Sequence, residues 1–72
     1  MDPVAAFKEI IIRAELITAD MDSDKPDNDF IADQAVTLSD SAIGLRDWLE
    51  KDGFFGKKEI EQLKQWIQER NN

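Results

Sequence analysis

Apolar residues recur at helical spacing over the first part of the chain, which predicts a helix from Pro3 to about Met21. Asp2 is a favourable N-cap, and proline fits the first helical position because its missing N–H has no partner there. At about 100° per residue, one broad arc of this helix collects apolar side chains that we expect to face the core. The arc consists of Val4, Phe7, Ile10, Ile11, Ala14, Ile17 and Met21.

A second apolar stripe follows a polar loop and predicts a helix from Asp29 to Lys51. Pro26 and its neighbouring aspartates favour a turn, and Asp27 or Asn28 is expected to cap the second helix. Weak helix formers between Thr37 and Ser41 leave an alternative in which this helix breaks and the protein has four helices. The predicted core stripe comprises Ile31, Ala35, Leu38, Ala42, Leu45 and Leu49, flanked by Phe30 and Trp48.

A third helix is predicted from Lys57 to about Arg70. Its inward residues are Ile60, Leu63 and Ile67, with Trp66 at the edge. Asp52-Gly53 ends the second helix, with the glycine expected in the left-handed conformation, and Phe54 and Phe55 are expected to plug one end of the core. Short connections favour an up–down–up arrangement, so the sequence predicts an all-α fold: a small three-helix bundle forming one domain over residues 1–72.

The residue types that are missing exclude several kinds of site. The chain has no cysteine, histidine or tyrosine, which removes disulfides, thiolate metal sites and the commonest general base. No segment reaches the roughly 20 apolar residues of a membrane-spanning helix, and the N-terminus does not resemble a secretory signal. We therefore expect a cytoplasmic protein that is not an enzyme, with no catalytic residues, cofactor, metal site or membrane partner.

Charge is distributed unevenly along the chain. The net charge is −7, and six of these negative charges fall between Asp20 and Asp40, where Lys25 is the only basic residue. The acids in this window are Asp20, Asp22, Asp24, Asp27, Asp29, Asp33 and Asp40. A localised negative field attracts cationic partners and repels nucleic acid and anionic membranes, so we expect a basic protein partner and no direct nucleic-acid binding.

Four aspartates of the second helix lie within about 40° of one another around an ideal helix. They are Asp29, Asp33, Asp40 and Asp47, and Val36 and Ile43 lie beside them, away from the core arc. Acids flanked by exposed apolar groups form a docking surface for a basic protein with an apolar spot. These six residues are the predicted partner-binding site of a small module that modulates or inhibits a larger, nucleic-acid-handling partner, of the kind that phages and mobile elements encode.

A sharper form of this hypothesis is nucleic-acid mimicry, in which carboxylates stand where phosphates would lie. Acids seven residues apart are separated by about 10 Å of helix rise, which is wider than the phosphate spacing along a strand, so the match is loose. The alternative function is a self-assembling structural or accessory subunit. Ile12 and Leu16 lie four residues apart outside the core arc, and they are the predicted interface of such a homo-oligomer.

Two further hypotheses concern small ligands. Asp20, Asp22 and Asp24 match the first ligand positions of a calcium-binding EF-hand loop, but Lys25 and Ile31 stand where that loop needs glycine and glutamate. Asp40-Ser41, ahead of a helical pattern, resembles the attachment site of acyl carrier proteins, small acidic helical proteins that carry phosphopantetheine on a serine. The resemblance implies Ser41 as a modification site, although Ala42 replaces the family's large apolar residue.

Overall fold

The computed structural model describes residues 2–71, which form three helices. Helix α1 spans Pro3–Met21, α2 spans Asn28–Glu50 and α3 spans Lys57–Arg70. The bounds of α1 and α3 agree with the prediction, and α2 begins and ends one residue earlier than predicted. Since α2 is continuous, the four-helix alternative is wrong: packing of the α2 stripe against α1 outweighs the weak helix propensity around Thr37–Ser41.

Aspartate side chains cap the first two helices, as the sequence predicts. The Asp2 carboxylate accepts hydrogen bonds from the backbone N–H groups of Val4 and Ala5, at 3.1 and 3.2 Å. Asp27 does the same for Asp29 and Phe30, at 3.0 and 3.1 Å. Each cap satisfies backbone donors that have no partner inside the helix, and so defines where the helix begins.

Helices α1 and α2 form an antiparallel hairpin in which they pack against each other along their length. Arg13, in the middle of α1, donates to Glu9 one turn earlier at 2.7 Å and to Gln34 of α2 at 2.8 Å. These side chains are partly buried, so the hydrogen bond from Arg13 to Gln34 links the two helices in a region from which water is partly excluded.

The end of α2 differs from the prediction. The left-handed residue is Asp52, with φ of 67°, and no glycine in residues 2–71 has a positive φ. Gly53 is required for a different reason, because a Cβ atom there would lie 2.6 Å from the Trp48 carbonyl oxygen and overlap its indole ring. The glycine thus lets the chain turn closely over Trp48, and its N–H donates to that carbonyl at 3.0 Å.

Helix α3 lies on the other flank of α1 and runs parallel to it. Lys8 of α1 lies 5.6 Å from the ring centre of Trp66, and Arg70 pairs with Glu15 further along α1. Within residues 2–71, no Cα atom of α3 comes within 8 Å of one in α2. The up–down–up order is therefore confirmed, but α1 is the middle helix of an open bundle.

This arrangement makes the molecule flat. Its principal-axis extents are 41 × 31 × 12 Å, so the molecule is more than twice as wide as it is thick. A single layer of helices has no enclosed interior. Among residues 2–71, only Leu63 of α3 is buried, at 8% exposure.

Several predicted core residues are accordingly exposed. The prediction is wrong for Met21, Leu49, Ile60 and Ile67, which a closed bundle would have buried. Phe55 does occupy the predicted position at one end of the hairpin, with its ring centre 6.4 Å from Phe7 and 5.3 Å from Trp48, both edge to face. Its neighbour Phe54 is 75% exposed and packs into no core.

None of the helices described here has the length and hydropathy that crossing a membrane requires.

Candidate functional site

The predicted partner-binding residues all lie on the side of α2 that faces away from α1. We call this surface, made of Asp29, Asp33, Val36, Asp40, Ile43 and Asp47, the acidic edge, because it forms one border of the flat molecule. Continuity of α2 decides this geometry, since the spacing of four, seven and seven residues aligns the carboxylates only on an unbroken helix. The acidic edge extends about 27 Å along the helix axis.

Two aliphatic side chains lie among these carboxylates and are open to solvent. Val36 is 61% exposed and Ile43 is 48% exposed. They lie seven residues apart, so their side chains fall nearly in line along the helix. The acidic edge therefore combines negative charge with two apolar contact points on one rigid element.

The carboxylates of the acidic edge differ in how they are paired. Asp47 accepts hydrogen bonds from the neighbouring Arg46, at 3.1 and 3.3 Å, and the same arginine lies 3.9 Å from Glu50. No lysine or arginine among residues 2–71 forms an ion pair with Asp29, Asp33 or Asp40. The uncompensated charge of the acidic edge therefore lies between Asp29 and Asp40. Sequence reasoning missed the contact between Arg46 and Asp47, although the two residues are adjacent.

Some of the acids between Asp20 and Asp40 stabilise the fold and are not part of the acidic edge. The Asp20 carboxylate accepts a hydrogen bond from the backbone N–H of Asp27 at 2.7 Å, and Asp27 in turn caps α2. Ser23 donates to the backbone carbonyl of Asp20 at 2.6 Å. These bonds tie the loop between α1 and α2 across its ends, so two of the seven window acids stabilise the α1–α2 turn.

The residues of the two small-ligand hypotheses are placed as follows. No group of three or more acidic side chains in residues 2–71 is arranged to hold a metal ion, and Asp22 and Asp24 are exposed in the loop. Ser41 lies in the interior of α2, half-buried, and not ahead of a helix.

The predicted oligomer interface residues lie on α1. Ile12 is half-buried and Leu16 is 37% exposed, one turn further along the helix. The two tryptophans are half-buried at the edges of their helices. Trp48 packs against Phe55, while two cations lie over the Trp66 ring, with the Lys8 ammonium nitrogen 5.6 Å and the Arg70 guanidinium carbon 4.5 Å from the ring centre. Trp66 therefore helps hold α3 against α1.

Sequence reasoning missed an apolar groove between α1 and α2. Its volume is about 460 Å³, and it is lined by Ile10 of α1 and by Ala42, Leu45, Arg46, Leu49 and Glu50 of α2. The signal in the sequence was the predicted core stripe itself, which α3 leaves uncovered. A smaller, more polar depression lies where α1 and α3 begin, between Asp2, Val4 and Glu59.

Comparison of the chain with models of protein families, with curated proteins and with solved structures finds no match.

Proposed function

We propose that this chain is a small acidic binding module that docks a larger basic protein through the acidic edge of α2. One observation carries the proposal: Asp29, Asp33 and Asp40 are exposed, lack a basic partner in residues 2–71, and flank the exposed Val36 and Ile43. The function is binding and not catalysis.

The energetics favour an external partner for these charges. Like charges one turn apart on a helix destabilise it by about 0.2–0.5 kcal/mol per pair, and Asp29 and Asp33 have this spacing. A cationic surface removes that repulsion on binding. Electrostatic attraction mainly raises the association rate and excludes wrong partners, whereas burial of Val36 and Ile43 contributes affinity that salt does not screen.

The matching surface on the partner is a basic groove about 27 Å long with an apolar spot near its middle. Proteins that handle nucleic acids present such grooves, because their lysines and arginines neutralise phosphates. Occupation of the groove by α2 would compete with the nucleic acid, so the module modulates or inhibits its partner. We place this activity in the cytoplasm.

Charge reversal on the acidic edge tests the proposal. The double variant Asp33→Lys/Asp40→Lys is compared with the unchanged chain as bait for proteins from the source cell, at low and high salt. A matched control is Glu61→Lys/Glu69→Lys, which makes the same change in net charge with exposed residues of α3.

We expect the unchanged chain and the α3 control to capture the same basic protein at low salt, and the α2 variant to lose it. High salt should weaken capture without abolishing it, because Val36 and Ile43 still contribute. If all three baits retain the same protein equally, the acidic edge is not the docking surface. Retention of helical circular dichroism by the α2 variant separates loss of binding from loss of fold.

A further inference from the structure

The molecule exposes more surface than a closed protein of its size. Its accessible surface is 5398 Å², whereas a monomer of 8.3 kDa is expected to expose about 4,600 Å². Its radius of gyration is 14.0 Å, against about 11 Å for a compact chain of this length. The excess area, about 800 Å², equals what each partner buries in a standard protein–protein interface.

Exposed large apolar side chains from all three helices lie on one side of the layer: Met21 of α1, Leu49 of α2, and Ile60 and Ile67 of α3. In α3, Trp66 and Arg70 face α1, so the helical repeat places Ile60 and Ile67 on the side of the layer that also carries Ile10 and Leu49. We call this side, made of Ile10, Met21, Ala42, Leu49, Ile60 and Ile67, the open face. It contains the apolar groove, and Leu49 within that groove is 48% exposed.

We propose that a second copy of this chain covers the open face, so that two three-helix layers pack face to face in a two-fold symmetric dimer. A second copy supplies a layer of the same extent, which a single peptide or helix would not. The buried area on each copy would then match the excess, and each copy would gain the enclosed core that it lacks alone.

The acidic edges do not oppose this dimer. Each carboxylate of the acidic edge lies at least about 120° around α2 from Leu45 and Leu49, so the two edges stay outside the interface. The dimer is independent of the proposed function, because it uses the other side of α2.

Light scattering coupled to size exclusion, from micromolar to submillimolar concentration, tests the proposal. We expect a mass of twice 8.3 kDa for the unchanged chain and 8.3 kDa for Leu49→Glu, with helical circular dichroism unchanged. The matched control is Val36→Glu, the same kind of substitution at a more exposed site on the acidic edge, which should remain a dimer.

A second set of variants keeps the test decisive if Leu49→Glu fails to fold. Ile60→Glu and Ile67→Glu, at exposed positions of α3 on the open face, should each also give the monomer mass of 8.3 kDa. A monomer at every concentration would overturn the proposal. Loss of the dimer with Leu16→Glu but not with Leu49→Glu would also overturn it and assign the interface to Ile12 and Leu16.

Discussion

The α1–α2 hairpin and helix α3 are built from similar amphipathic patterns, yet they are held very differently. The hairpin packs along its whole length and is tied at its turn by the Asp20 and Asp27 carboxylates. Helix α3 is attached to α1 through the buried Leu63, through Trp66 with its two cations, and through the pair of Arg70 with Glu15. A continuous interface distributes stability over many residues, whereas a few contacts concentrate it.

This contrast implies that α3 opens before the hairpin does. Local opening is favoured where few apolar groups are buried and where backbone hydrogen bonds are exposed. The open face follows from the position of α3. Because α3 lies beside α1 and not over the groove, apolar residues of all three helices remain exposed on one side of the layer.

The largest effect is expected from Leu63→Ala, which truncates the one buried side chain among residues 2–71. We expect the free energy of unfolding to fall by about 2–3 kcal/mol, as for other large-to-small core substitutions. Hydrogen exchange should show the amides of α3 exchanging faster while those of α1 and α2 keep their protection. Gln68→Ala, at an exposed position of the same helix outside the open face, is the control and should cost less than about 1 kcal/mol. Equal losses for the two variants would mean that α3 is not held through Leu63.

A smaller effect is expected from Asp27→Ala, which removes the cap of α2. The carboxylate satisfies two backbone N–H groups, and loss of such a cap costs about 1 kcal/mol. Here the hairpin should lose protection and α3 should follow it, the reverse of the order for Leu63→Ala. Urea denaturation measures the loss, with the exposed loop variant Asp24→Ala as the control. If Asp24→Ala destabilised the protein as much, loop charge and not the cap would be responsible.

The smallest effect is expected from Glu15→Gln, which removes the ionic partner of Arg70. Over half of the Glu15 side chain and about a third of the Arg70 side chain are exposed, so solvent screens the pair, which contributes at most about 0.5 kcal/mol. The melting temperature should fall slightly at low salt and not at high salt, because salt screens exposed pairs. Glu61→Gln, an exposed α3 acid outside the ion pairs of residues 2–71, should change nothing at either salt. A larger shift that persisted at high salt would mean that Glu15 supports α3 by packing.

Local signals predicted the helices well, because they act within a few residues. Asp2 with Pro3 and Asp27 with the following turn have their capping partners two or three positions away, so sequence alone locates these boundaries. The backbone conformation at the end of α2 was harder to predict. Asp52, not Gly53, takes the left-handed conformation, and Gly53 is instead needed where the backbone crosses the indole of Trp48, a contact that depends on the path of the chain.

The acidic edge was predictable for a similar reason, since residues four and seven apart share a face of any unbroken helix. The ion pairs of the acidic edge were less predictable. Arg46 donates hydrogen bonds to Asp47, and no basic side chain among residues 2–71 pairs with Asp29, Asp33 or Asp40, because side-chain rotamers decide which charges meet. The open face could not be predicted at all, since periodicity identifies an apolar face but not what covers it.

The amino-acid sequence by itself determines three amphipathic helices, their caps, their order and a line of carboxylates along the second, because each depends on residues close together in the chain. Only the tertiary structure decides that α1 lies in the middle, that α2 and α3 do not meet, and that Leu63 is enclosed while Leu49 and Ile67 are not. The physical reason is that helix–helix packing depends on contacts between distant residues, and an apolar stripe gains equally from any apolar surface that excludes water from it.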